Sequence, residues 1–287
     1  MPSLKAIRKR ISSVKSTQQI TKAMKMVAAA KLRRAQEAAV QARPYAEKLE
    51  GMVAHLLQRV DPESHPLMLT PETRERCLVL VVSSDRGLCG GYNANLLRDM
   101  EETLAADSGE FEFAVVGRKG AEHLARKEQT IDNQYPMPSP QESGALARDI
   151  TRELEKQYLS GKVDRVLVVY SAFKSTMTQI PTVEQLLPLQ HHDQAEGHDS
   201  GHEYVFEPNP GEIVGYLLPR LLEVRVLHAL LEAGASELAS RMTAMDSATR
   251  NASEMIDRLT LQMNRARQAQ ITTELMEIIG GAEALNQ

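Results

Sequence analysis

The chain has 287 residues, 42% of them apolar and 25% charged, with a formal net charge of −4. No apolar run reaches the roughly 18 residues that a membrane-spanning helix needs, and two cysteines, Cys77 and Cys89, are too few for a disulfide framework. Those numbers exclude helical membrane spans and disulfide-stapled scaffolds, and make a reducing compartment the default.

The first element is a long helix, from Ser3 to about Gln58. Leu4, Ile7, Ile11 and Val14 are spaced for one helical face; the phase then slips and resumes at Ile20, Met24 and Val27. Pro44 is expected to kink or interrupt the helix, because it lacks a donor and crowds the preceding turn. Asp61-Pro62 and His65-Pro66 end it. Residues 1–36 carry ten basic side chains and no acidic one, so residues 37–287 must sum to −14 to leave −4 overall. A cationic rod of this kind seeks an acidic surface on protein, nucleic acid or lipid. The same basic stretch lacks the apolar core of a secretory signal and runs unbroken into the helix, which argues against a cleaved leader.

The middle reads as strands alternating with helices. Cys77–Val82 is a continuous apolar run, as expected of a strand buried on both faces. A helix over Asn93–Ala106, a strand over Phe111–Gly117 and a short helix to about Lys127 follow. Gly144–Leu159 is a further helix, Val166–Tyr170 a buried strand, and Gln179–Leu187 a final strand. Pro181 places that last strand at an edge. The alternation implies a mostly parallel sheet. Residues 190–203, with His191, His192, His198 and His202, read as a polar loop.

The last element is the strongest. From Arg220 to Ile279 there is no proline and one glycine, Gly234. Leu238, Met242, Met245, Thr249, Ala252, Ile256, Leu259, Met263 and Ala266 step strictly by four and three, the seam of a left-handed coiled coil. Sixty residues at 1.5 Å rise give a rod of about 90 Å. Its natural partner is the first helix, through Ile7, Ile11 and Val14. The chain must return to its starting end, so the pair would be antiparallel; self-pairing in a homodimer is the alternative. Four segments result: a coiled-coil helix over 1–60, an α/β domain over 75–190, a His-rich loop over 191–208 and a coiled-coil helix over 209–287.

Several motifs invite chemistry and fall short of it. Asp85–Gly91 sits between a buried strand and a helix, where phosphate loops sit, yet matches neither glycine-rich fingerprint. No Cys/His spacing fits a zinc site, and no nucleophile–base pair is in view. Neither a metal nor a cofactor is expected. Arg265-Ala266-Arg267-Gln268 has its polar members pointing outward from the seam.

Taken together, Thr17–Ala28, Ser84–Asn93, Ala266–Gln268 and Ile271–Ala282 resemble the gamma-subunit family of bacterial-type F-type ATP synthases, in the family's order and over essentially the whole chain. The resemblance implies an antiparallel, left-handed coiled coil of the N- and C-terminal helices with an inserted Rossmann-like α/β domain. It implies a non-catalytic rotor shaft that couples rotation of the membrane c ring to sequential changes in the catalytic beta subunits. The implied partners are the alpha and beta ring, the epsilon subunit and the c ring, with one copy per complex. The implied location is peripheral, on the cytoplasmic face of the bacterial inner membrane. By the same resemblance Met24, Lys25 and Arg86 lie near the lever and catch regions of beta, and Arg267, Gln268, Thr272 and Glu274 contact the ring higher up. The cysteine-bearing insertion of the chloroplast type is missing, so thiol regulation is not expected. Two competing readings remain: a nucleic-acid-binding arm, against which stands the lack of aromatics in the first 44 residues, and a small-molecule enzyme on the α/β middle.

Overall fold

An apolar run such as Cys77–Val82 can be stable as a strand only with neighbours on both edges and layers on both faces. In a computed structural model, which describes residues 4–57, 65–71, 75–107, 109–189 and 209–285, this run forms strand β1 (Arg76–Val82), with six of seven residues buried. It pairs in parallel with β2 (Glu110–Val116) on one side. The sheet extends beyond β2 to β3 (Ile131–Tyr135), also parallel. On its other side β1 pairs in parallel with β4 (Arg165–Phe173). The far edge is β5 (Gln179–Leu187), antiparallel to β4, which gives the order β3-β2-β1-β4-β5. Pro181 lies opposite Ser171 in this edge strand, where a missing donor costs no interior ladder bond.

Alternate residues of β1 feed different layers. Cys77, Val79 and Val81 pack with α2 (Tyr92–Ala105) and α3 (Arg118–Arg126), through Leu96, Met100 and Leu124. Leu78, Leu80 and Val82 belong to a second core with α4 (Ser143–Leu159), through Ile150 and Leu154. That second core also takes Leu49, Val53 and Leu56 of α1 (Leu4–Leu57) and Leu218, Leu222 and Leu230 of α5 (Pro210–Leu285).

Three expectations are corrected. The sequence suggests no strand at Ile131–Tyr135; this short, polar segment, half-buried at alternate positions, becomes one because β2 offers it an open edge. Pro44 does not interrupt α1, which runs continuously through it. Pro44 is exposed, so water can take the Val40 carbonyl that it leaves unpaired. Nor does the stripe of α1 slip after Val14. Ile20 and Val27 are 57% and 56% exposed, while Gln18, Thr21 and Lys25 continue the inward phase of Ile7, Ile11 and Val14. The seam keeps its period and turns polar.

The chain divides into two compact units, residues 4–27 with 242–285, and Ala28–Arg241. The first is a pair of helices from the two ends of the chain. Its contacts run Gln18 to Ser253, Thr21 to Thr249 and Lys25 to Asp246, so one number rises as the other falls and the helices are antiparallel. The second unit holds the sheet, its covering helices and the adjoining parts of α1 and α5. The His-rich stretch 190–203 lies outside the described residues.

Candidate functional site

The helix pair is built around a seam of unusual content. Near one end Ile7, Ile11 and Leu259 form an apolar cluster flanked by Val14, Met263 and Ala266. Further along, Met245 and Ala252 are buried and Met242 and Ile256 half-buried. Between and beside these come three polar rungs. The Gln18 amide donates to Ser253 Oγ at 2.6 Å, the Thr21 and Thr249 hydroxyls lie 2.8 Å apart, and Lys25 Nζ donates to Asp246 Oδ1 at 2.5 Å. Asp246 is held below the usual carboxylate range, first by the Lys25 hydrogen bond and then by the charges of Lys25 and Arg250. Met24, next to Lys25, is half-buried. Leu238 is also half-buried, and sits on the part of α5 that belongs to the other unit.

Toward the end of α5, Arg267, Gln268, Thr272 and Glu274 are all exposed. Thr272 Oγ1 donates back to the Gln268 carbonyl at 2.9 Å, and Gln270 donates to Glu274 Oε1 at 2.8 Å. Ile271, Leu275, Ile278 and Ile279 on the same stretch are exposed apolar side chains. A helix that leaves its apolar residues in water marks a surface made for a partner.

In the α/β unit the loop from Ser83 to Gly91 follows β1 at the switch point of the sheet, the usual seat of a ligand in doubly wound folds. Here the seat is filled by the chain itself. Tyr92 Oη donates to the Ala233 carbonyl at 3.3 Å, the Phe173 amide donates to Glu232 Oε2 at 2.7 Å, and Ser240 Oγ donates to the Cys89 carbonyl at 2.7 Å. The Arg241 guanidinium reaches both the Arg86 and Gly87 carbonyls at 3.2 Å and pairs with Glu237. The loop thus offers α5 its carbonyls, the opposite of the amide cradle that binds phosphate.

The rest of the loop is equally fixed. Ser84 Oγ donates to the Arg86 carbonyl at 2.8 Å, and the Ser84 amide donates to Asn93 Oδ1 at 3.1 Å. The Asp85 carboxylate accepts the Arg118 amide at 3.1 Å and the Met137 amide at 3.2 Å. Beneath it Gly117 has φ +91°, and a Cβ there would stand 2.4 Å from the Ser83 carbonyl oxygen. Leu88 is left-handed at φ 63° and 66% exposed, and Arg86 is exposed beside it. Burial pushes the Glu237 carboxyl up despite the charges of Arg241 and Lys31. Burial likewise pushes the Cys77 thiol up to about 11 and raises that of Cys89, which fits inert thiols.

The structure therefore joins Met24 and Lys25 to the helix pair, puts Arg86 on a braced loop of the α/β unit, and leaves Arg267, Gln268, Thr272 and Glu274 on an exposed helix face. Glu237, Ser240, Arg241 and Asp246 were not singled out from the sequence. The sequence signal for Glu237 with Arg241, and for Asp246 with Arg250, is an acid–arginine pair at i, i+4, which usually marks a solvated face; Ser240 carries none.

A family model described as ATP synthase matches residues 3–285. The ATP synthase gamma chain of Moorella thermoacetica is 48% identical over 285 residues, spanning 99% of this chain and 100% of that relative. The ATP synthase gamma chain of Geotalea daltonii is 49% identical over 288 aligned positions, with 99% of each chain covered. A chain from the cryo-EM structure of the Euglena gracilis mitochondrial ATP synthase, OSCP/F1/c-ring, shares the fold with a TM-score of 0.69 at 20% identity, covering 98% of this chain and 94% of that one.

Proposed function

This chain belongs to the ATP synthase gamma-chain family, and on that premise we propose how its residues carry the work of that subunit. It is the central shaft of the complex. It couples rotation to conformational change in the catalytic subunits and makes no bond itself, since catalysis belongs to the beta subunits. The observation that carries the residue-level reading is the antiparallel helix pair with its three polar rungs. A shaft must resist twisting. Apolar contacts between methionines and alanines slide easily, whereas a paired polar group inside a seam admits one register. Two helices of unlike sequence also have no threefold repeat. Three equivalent partners around them meet three different surfaces, and turning the pair exchanges those surfaces in order.

In this reading Met24, Lys25 and Arg86 meet the lever and catch regions of beta. Arg267, Gln268, Thr272 and Glu274 meet the ring of alpha and beta subunits higher up, with the exposed apolar residues around Ile278 seated in its socket. The exposure of Ile20 and Val27 on α1 and of Leu88 on the loop after β1 supports an enclosing partner, because apolar side chains gain nothing by facing water. Epsilon and the c ring are partners of the α/β unit, one copy of the chain serves each complex, and the complex stands on the cytoplasmic face of the plasma membrane. No helix among the described residues is long and apolar enough to cross a membrane, which fits a peripheral subunit.

Mixed with alpha and beta subunits, the chain should assemble as a single copy into a complex that hydrolyses ATP, while the chain alone hydrolyses none. Spin labels at Val14 and Met263 in that complex should report one short, narrow distance. A broad or long distribution would remove the stiffness on which torque depends.

A further inference from the structure

We propose that Arg241 is a positioning residue: by clamping the Arg86 and Gly87 carbonyls it holds loop 85–91 against α5, and so sets how the exposed Arg86 and Leu88 are offered to the catalytic ring. The proposal rests on the reading that this loop faces the ring. Its physical basis is independent of that reading. One planar guanidinium reaches two successive carbonyls at 3.2 Å while also meeting the Glu237 carboxylate, a three-way arrangement that only a forked donor can fill. Glu237 is 8% exposed, so the charge that fixes the guanidinium is itself fixed in the interior of the unit. Ser240, one residue earlier on α5, secures the Cys89 carbonyl at the other end of the loop. Asp85 and Ser84 hold the sheet side of the loop, but those bonds tie it to α3, the Met137 segment and α2. Arg241 and Ser240 supply bonds that tie it to α5, the helix whose later residues form the paired seam. Loosening them leaves the loop folded but free to shift relative to α5, and a contact that shifts cannot pass force at a fixed angle.

Two buried cysteines make the clamp measurable. Cys89 belongs to the loop and is turned inward at 2% exposure, whereas Cys77 lies in β1 at 1% exposure and is reached only by opening the sheet. In the purified full chain, Arg241→Lys keeps the charge opposite Glu237 but has no second nitrogen with which to hold the carbonyls while it meets that carboxylate. Maleimide should label Cys89 about tenfold faster than in wild type, the scale of losing one charged hydrogen bond from a local opening, with the Cys77 rate unchanged. The doubly neutral variant Glu237→Gln with Arg241→Gln should behave alike, without an unpaired interior carboxylate. In the assembled, membrane-reconstituted complex, Arg241→Lys should lower protons pumped per ATP hydrolysed at near-wild-type hydrolysis, and Arg86→Ala should lower it by a similar factor. Unchanged Cys89 labelling, or Cys77 and Cys89 rising together, overturns the clamp. Faster Cys89 labelling with normal coupling, when Arg86→Ala does impair coupling, overturns the positioning role. If neither variant alters coupling, the ring-facing reading of the loop has failed, and with it the role in coupling; the faster Cys89 labelling would still record the clamp.

Discussion

In the α/β unit the inner positions are Leu78, Val79, Leu80 and Val81 at zero exposure, whereas in the helix pair the apolar cluster of Ile7, Ile11 and Leu259 gives way along the seam to Gln18, Thr21, Thr249 and Met245, flanked by a half-exposed Lys25–Asp246 pair. The sheet core is held by burial, which is strong, undirected and indifferent to small rotations once volumes are filled. The helix pair is held by fewer buried atoms and by hydrogen bonds that tolerate little misalignment. One solution favours stability and the other favours a defined relative rotation of two helices. A body that must keep its shape and a rod that must transmit twist have different needs, and the residues differ accordingly.

The largest break in that contrast should come from Leu80→Ala. A fully buried strand residue between two helical layers should cost about 2–5 kcal/mol, read as a lower melting temperature of the α/β unit. Gly117→Ala should follow at about 1–3 kcal/mol, because the left-handed backbone and the Ser83 carbonyl 2.4 Å from the new Cβ both resist it. In the helix pair Met245→Ala should cost less than Leu80→Ala, about 1–2 kcal/mol, since a two-helix seam closes around a lost side chain more easily than a sheet core does. Hydrogen exchange confined to residues 4–27 and 242–285 would measure it. A double-mutant cycle of Thr21→Val and Thr249→Val should give a coupling below about 1 kcal/mol, yet the double variant should loosen the Val14–Met263 distance. A large coupling with an unchanged distance would erase the distinction drawn between stability and register.

The smallest effect is a pH dependence. The Arg76 guanidinium and amide hold Asp164 below the usual carboxylate range, and the carboxylate is nearly buried. A depressed folded-state value means that the stabilisation is fully present above the ordinary value of 3.8 and disappears as pH falls below it. Arg76–Asp164 should therefore contribute nothing to pH dependence between 5 and 8. Acid titration of the wild type and of Asp164→Asn should converge at low pH.

Sequence by itself determined the features that depend on local repetition. The strict four-three steps from Leu238 to Ala266, the apolar run of β1 and the acid-free first 36 residues each state a face, a layer or a charge without help from the fold, because periodicity and composition are properties of neighbouring residues. What only the tertiary structure decided is where polar residues turn inward. Nothing local distinguishes Gln18 and Thr21, which face Ser253 and Thr249, from ordinary surface residues, and so an apolar search passes to the exposed Ile20 and Val27 instead. The same holds for β3, a strand because β2 has a free edge, and for Arg241, a clamp because a loop 154 and 155 residues earlier presents two carbonyls to it. A buried polar group is stable only with its partner in place, and that partner is set by the path of the whole chain.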